Sequence, residues 1–154
     1  MSTKKSPAGR RQRVLLTRRE RWVIPRWPPL RRVLKKILAD HGVEGTLTLA
    51  LVDDAEMRRV HQQFLGEDTA TDVLSFLLDP EGIHGLDEVF GEVVVSAETA
   101  LREARKRGLA PEREVGLYAI HGTLHLVGFD DTDAMSRRKM RREERKYLGM
   151  YEEE

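Results

Sequence analysis

Cysteine is absent from the 154 residues of this sequence. The absence excludes disulfide bonds, thiolate metal sites and cysteine nucleophiles, so a bound metal must use histidine, aspartate or glutamate. Long apolar runs are also missing. No segment approaches the roughly 20 residues that a membrane-spanning helix needs, and the first thirty residues have no apolar core of a secretory leader. We therefore expect a cytoplasmic protein with no membrane partner.

Positive charge is concentrated at the start of the chain. Residues 1–36 carry 13 lysines and arginines against one acidic residue, Glu20, whereas the rest carries 14 against 25. Such a basic end can contact a phosphate backbone, but it can also be a solubilising arm or a tail that folds back on the acidic body. Residues 1–12 are small, polar and basic, and we predict a disordered basic arm there, followed by a single domain over residues 13–154.

Apolar spacing predicts four strands and five helices. We expect strands at residues 14–16, 46–52, 72–78 and 89–96. The first helix is expected from Leu30 to a terminating Gly42, and the second from Asp54 to Gly66, with Met57, Val60 and Phe64 facing inward. Three more helices are expected: from an N-cap at Ser96 to Gly108, from Pro111 to Val127, and over residues 133–148. This order indicates an α+β fold, a small mixed sheet of about four strands covered by about five helices.

The candidate metal-ligating residues are concentrated in one helix and the turn after it. His121 and His125 are four residues apart, so both imidazoles project from one helix face. Gly128 can take the left-handed conformation that ends the helix and returns the chain, which would bring Asp131 to the same ion. Two nitrogens and one oxygen are typical of catalytic zinc sites, which leave a fourth position for water. The pattern predicts a hydrolytic metal site, although two histidines at this spacing are often ordinary helix residues.

Residues around the predicted ligands have less defined roles. Asp130 could orient one imidazole from behind, or it could be a turn residue. His41, His61 and His84 have no ligand-like partner at short spacing, so we expect them to lie outside the metal site. No general base is evident, and the catalytic groups beyond the metal site stay unknown.

Three segments of the chain resemble the YbeY family of zinc-dependent endoribonucleases, which are rRNA maturation factors. HGTLHLVGFDD, residues 121–131, is similar to the family pattern HGxLHLxGYDH, and TDVLSF (71–76) and GEVVVS (91–96) are similar to its two other recognisable stretches. By resemblance, His121 and His125 match the first two zinc ligands, and Asp131 stands where the third is usually histidine. The resemblance implies one Zn²⁺ per chain, held in a metallohydrolase domain.

The same resemblance implies an activity and its partners. The family cuts single-stranded RNA in preference to duplex, matures the 3′ end of small-subunit ribosomal RNA and acts in ribosome quality control. Many members have an arginine just before the glycine that ends the second helix, where this chain has Leu65. Arg58, seven residues earlier on the same helix face, could replace that cation, and its neighbour Arg59 is a further candidate RNA contact. In the last helix, Arg137 and Arg138 could follow an RNA backbone; all four arginines could equally be solvated surface residues.

Two other functions remain open. The spacing H-x3-H-x2-G-x2-D is that of a metzincin protease, but Gly122 stands where zincin proteases have a glutamate base. A non-catalytic, ribosome-associated protein with a structural metal is the second alternative. Leu65 and the basic arm support this alternative.

Overall fold

The computed structural model describes residues 11–18, 25–66 and 71–153. Within these ranges it contains four strands, β1 (Gln12–Arg18), β2 (Gly45–Val52), β3 (Val73–Leu77) and β4 (Val89–Ser96). It also contains five helices, α1 (Trp27–Asp40), α2 (Asp54–Leu65), α3 (Ala97–Arg107), α4 (Pro111–Leu126) and α5 (Ala134–Glu153). The predicted α+β class and element order are confirmed.

The strands form one mixed sheet in the order β1-β2-β4-β3. β1 pairs with β2 and β2 with β4 in parallel, whereas β3 runs antiparallel to β4 with Val73 opposite Val95. The predicted pairing of β3 with β4 is therefore confirmed. β3 is a five-residue edge strand, so its outer backbone groups have no neighbouring strand in the described structure.

The sheet has an apolar layer on each face, because successive side chains of a strand point to opposite faces. One layer contains Leu47, Leu49 and Leu51 of β2 packed with α1, α4 and α5. The other contains Ala50 and Val52 of β2 packed with Met57 of α2. The helix that carries the histidine pair thus lies on one face of the sheet, and α2 covers the opposite face.

β1 is longer than the predicted residues 14–16 and β3 is shorter than 72–78, and three further differences from the sequence-based prediction have a direct physical reason. α1 begins at Trp27 rather than after Pro29, because prolines in the first turn lack only N–H groups that have no helical partner. α5 continues past residue 148 to Glu153, since Tyr151 is buried and donates a hydrogen bond to the Glu112 carbonyl at 3.0 Å. Phe64, predicted to face inward, is 60% exposed, because α2 ends beside the edge strand, where the sheet offers no further surface to cover the ring.

The start of α2 is joined to the start of α3 by one carboxylate. Ser96 caps α3 as predicted, with its Oγ accepting from Thr99 N at 3.1 Å. Asp54 Oδ1 accepts hydrogen bonds from Ser96 Oγ at 2.6 Å and Thr99 Oγ1 at 2.7 Å, and Oδ2 lies 3.1 Å from Arg102 Nη1. Burial opposes ionisation of this carboxyl, but these donors outweigh it and hold the pKa of Asp54 below its ordinary value.

Most of the predicted basic arm, residues 1–10, lies outside the described residues, so its disorder stays a prediction. Gln12, at the predicted edge of the arm, is the first residue of β1, and its Nε2 donates to the Val43 carbonyl at 2.9 Å. In the described part of the chain, no helix is both long and apolar enough to cross a membrane.

Candidate metal centre

A glycine sets how closely α4 approaches the sheet. A Cβ at Gly122 would lie 2.6 Å from Val93 Cγ1 and 3.0 Å from both Val73 Cγ2 and Ser75 Oγ. Ser75 Oγ instead donates a hydrogen bond to the Gly122 carbonyl at 2.9 Å. There is no room for the glutamate that a zincin protease needs after its first histidine, so packing as well as chemistry argues against a protease.

The chain reverses direction immediately after α4. Gly128 has φ of 110°, a backbone conformation that favours glycine, and Phe129 N donates back to the Leu124 carbonyl at 3.0 Å. Asp130 Oδ1 accepts from Thr132 N at 3.3 Å and Oγ1 at 3.1 Å. These contacts are those of a turn residue, and a role of Asp130 in orienting an imidazole stays a prediction.

The turn returns Asp131 to the two histidines. His121 Nε2 and His125 Nε2 are 3.0 Å apart, and Asp131 Oδ2 lies 3.9 Å from the first and 3.8 Å from the second. In the plane of these three atoms, the point equidistant from them lies about 2.1 Å from each, within the bond lengths that zinc makes with imidazole nitrogen and carboxylate oxygen. The three predicted side chains therefore form a group that could hold a metal ion.

Glu144 of α5, which the sequence reasoning missed, holds the imidazole of His121 from behind. Its Oε1 lies 2.5 Å from His121 Nδ1, so the Nδ1 proton is donated to the carboxylate and Nε2 faces Asp131 and His125. Burial lowers the pKa of His121, but the hydrogen bond and charge of Glu144 outweigh it and raise the pKa above its ordinary value. One signal was present in the sequence, since Glu144 lies four residues from both Met140 and Leu148 on the buried face of α5.

A cavity of about 410 Å³ opens beside the histidines. His121, His125 and Leu126 form its α4 side, and residues 72–75 with Leu77 form its β3 side. Among these lining residues Asp72 is the one carboxylate, and its Oδ1 accepts from Val73 N at 2.8 Å. The site is therefore an open pocket between a helix and an edge strand, with donor atoms at one end.

The predicted RNA-binding arginines lie in two places. Arg137 of α5 is beside the site, because its Nη1 donates to the Asp131 carbonyl at 3.4 Å, and Arg138 is the next exposed residue. Arg58 and Arg59 belong to α2 on the opposite face of the sheet, neither lines the cavity, and Arg59 pairs with Glu56. The structure therefore places the α2 arginines outside the lining of the metal-site cavity, and their contact with RNA stays a prediction.

The other histidines lie apart from the ligand group, as expected. His41 follows α1, with Nδ1 2.8 Å from the Ile37 carbonyl, and His84 Nδ1 lies 2.9 Å from Asp79 Oδ1. His61 is buried on α2.

Comparison with known proteins gives a consistent result. The sequence model of a family described as Endoribonuclease YbeY matches residues 28–152. A protein of Pelotomaculum thermopropionicum named Endoribonuclease YbeY is 39% identical over 112 residues, which cover 71% of this chain and 74% of that protein. One of the same name from Geobacter sulfurreducens is 34% identical over 127 residues, covering 80% and 85%.

A solved structure also matches. The solution structure of a Thermotoga maritima protein superposes with a TM-score of 0.62 at 27% identity, covering 91% of this chain and 88% of that one. The family match spans the described sheet from α1 onward and includes the candidate metal centre on α4. The chain belongs to the YbeY family.

Proposed function

We propose that this chain is a zinc-dependent endoribonuclease that cuts single-stranded RNA, with ribosomal RNA in the cytoplasm as its substrate. The convergence of His121, His125 and Asp131 beside an open cavity carries the proposal. The chain's relatives support it, because curated family members bear the name Endoribonuclease YbeY. Maturation of the small-subunit rRNA 3′ end and a part in ribosome quality control extend the proposal on the family resemblance.

Zinc fits the donor set, with one ion per chain. Two imidazoles and a carboxylate are an established zinc combination, and the spacing of the three donor atoms suits its bond lengths. Bound there, zinc would supply a Lewis acid that polarises the phosphodiester and makes water more acidic. Because Asp131 brings a negative charge where the family usually has a neutral histidine, the site also suits harder divalent cations such as Mn²⁺.

The chain's own residues would orient the substrate and move the proton. Glu144 fixes His121 in the tautomer that a ligand needs, and Leu126 makes one wall of the pocket apolar. Asp72, the carboxylate on the opposite wall, is our candidate for the proton acceptor. Cyclic phosphate ends on the products would indicate attack by the RNA 2′-hydroxyl, and linear ends would indicate attack by water.

Phosphate groups of the RNA would meet the exposed side of α5. This side carries the cations Arg137, Arg138, Lys139, Arg141, Arg142, Arg145 and Lys146. Arg137 and Arg141 precede Glu144 by seven and three residues, so they lie on the helix side that faces the metal centre. We propose that they replace the arginine that this chain lacks at Leu65.

A non-catalytic, ribosome-associated protein with a structural metal is the second candidate. It is favoured by the absence of arginine from the described residues that line the cavity. This alternative predicts ribosome association that persists when the metal ligands are changed and the fold is kept.

The test is cleavage of an end-labelled single strand, of the same strand annealed to its complement, and of small-subunit particles with an unprocessed 3′ end. We expect cuts within the single strand and at the 3′ end of the particle's RNA, and few cuts in the duplex. A chelator should abolish cutting, and added zinc should restore it. Cuts that survive chelation would overturn the metal-dependent proposal. If no substrate is cut while the protein binds the particles, the non-catalytic candidate replaces the enzyme.

A further inference from the structure

A second groove lies on the other side of β3 from the metal-site cavity, between this strand and α2. We call it the α2–β3 groove; it is lined by Val60 and Phe64 of α2, by residues 75–78, and by Glu92 and Val94 of β4. Its volume is about 410 Å³, as large as that of the metal-site cavity. The proposed metal centre does not use it.

Large apolar side chains are exposed along this groove. Phe64 is 60% exposed, Leu78 57% and Leu77 47%. The Phe64 ring lies 5.2 Å from the Phe76 ring at a 57° tilt, so one side is supported by an aromatic neighbour while much of the ring stays accessible. Clustered exposed apolar groups of this kind usually mark a binding surface.

The groove adjoins the metal-site cavity. Ser75 and Leu77 line both, which leaves only the edge strand β3 between them. One strand is about 5 Å wide, and the outer edge of β3 has no neighbouring strand among the described residues. A flexible polymer chain can therefore pass around this edge and occupy both pockets.

We propose that the α2–β3 groove is a nucleobase subsite in which an unpaired base of the RNA strand stacks on Phe64 while a neighbouring phosphodiester lies at the metal centre. This inference rests on the proposed function for the class of its ligand. Stacking on an aromatic side chain is the usual way in which proteins hold unpaired bases, and it tolerates any base.

Charge favours a base over a phosphate as the occupant. Glu92 is the one charged side chain among the described lining residues. Its carboxylate repels a phosphate but can accept a hydrogen bond from the amino group of a base. A paired base is already stacked in its duplex and cannot enter the groove, so the subsite would also account for a preference for single strands.

A protein strand that pairs with the β3 edge is the competing occupant, because alternate side chains of an added strand would enter the two pockets. The two occupants make different predictions for isolated RNA. Only the nucleobase subsite requires Phe64 for binding to RNA in the absence of any other protein.

The test is binding of a short fluorescent single-stranded RNA to the full chain in chelator, where cutting does not interfere. Phe64→Ala is expected to weaken binding roughly tenfold, whereas Phe64→Trp, which keeps the stacking surface, stays within about twofold of the parent. Leu65→Ala, an equally exposed neighbour that does not line the groove, is the matched control and is expected to be unchanged. The salt dependence of binding should be the same in all four proteins, because each keeps the same cations for the phosphates.

Unchanged RNA binding in Phe64→Ala would overturn the subsite, and so would a loss confined to association with a protein partner. Cleavage measured on the same proteins separates this outcome from failure of the proposed function. If the parent does not cut RNA but binds it through Phe64, the subsite stands and the nuclease proposal fails. If the parent cuts and Phe64→Ala binds equally well, the nuclease proposal stands and the subsite fails.

Discussion

Nδ1 of His121 lies 2.5 Å from Oε1 of Glu144, although 23 residues separate them in the chain. The contact ties α5 to the candidate metal centre, because it holds the imidazole with Nε2 facing the other two donor atoms. A carboxylate in this position usually raises the metal affinity of the histidine that it orients.

We therefore expect Glu144→Ala to weaken zinc binding by roughly 10- to 100-fold, as loss of such partners does in other zinc proteins. Competition with a chromophoric chelator measures the affinity without relying on activity. Glu143→Ala removes the adjacent carboxylate, which lies 3.9 Å from Lys146 and does not contact His121, and it should leave the affinity unchanged. Equal affinities in all three proteins would show that Glu144 does not support the ligand.

Gly122→Ala is expected to destabilise the protein by roughly 1–3 kcal/mol, the usual cost of forcing an extra methyl group into a packed interior. Its Cβ would lie 2.6 Å from Val93 Cγ1. To relieve this clash, α4 would have to move away from β3 and β4. Gly149→Ala is the matched control, because a Cβ there meets nothing within 4 Å, and it should be neutral or stabilising by up to about 1 kcal/mol. Denaturant unfolding measures both free energies; similar values would contradict the close packing at Gly122.

How much of this architecture was predictable depends on how far apart in sequence the contacting residues are. The three ligands fall within residues 121–131, and one helical period plus a glycine turn is enough to place them together. Glu144 joins the site through packing of α5 on α4, which no local pattern describes. Phe64 has the spacing of a buried residue, and only the position of β3 at the sheet edge explains why it is exposed.

Asp54→Asn should lower the free energy of unfolding by roughly 1–3 kcal/mol near neutral pH, since three donors converge on its charged carboxylate. Because the folded-state pKa of Asp54 is lowered, this stabilisation is present above the unfolded-state pKa and is lost as pH falls through the folded-state pKa. The difference from the parent should therefore shrink below about pH 4. Two results would refute a stabilising role for the charged Asp54 carboxylate. One is a difference in unfolding free energy that stays constant down to acidic pH. The other is an equal loss of stability in Asp87→Asn, a change at an exposed aspartate.

Replacing both Arg137 and Arg141 with alanine should weaken binding of single-stranded RNA and reduce the dependence of log affinity on log salt by roughly 1.4, about 0.7 for each phosphate that the protein no longer neutralises. The control is Arg105→Ala with Lys106→Ala, which removes two exposed cations from the last turn of α3, a helix that lines neither the metal-site cavity nor the α2–β3 groove. Binding titrations over a salt series supply both slopes. An equal weakening in the two double variants would indicate general charge attraction instead of a path along α5.

We propose above all that His121, His125 and Asp131 hold a metal that cuts RNA. The most direct test of this proposal is cleavage of an end-labelled single-stranded RNA by the zinc-loaded protein, beside His125→Ala and a His84→Ala control, each shown to be folded. We expect cuts by the parent and by His84→Ala, whose imidazole pairs with Asp79 away from the ligand group, and none by His125→Ala. Equal cleavage by all three proteins would contradict it.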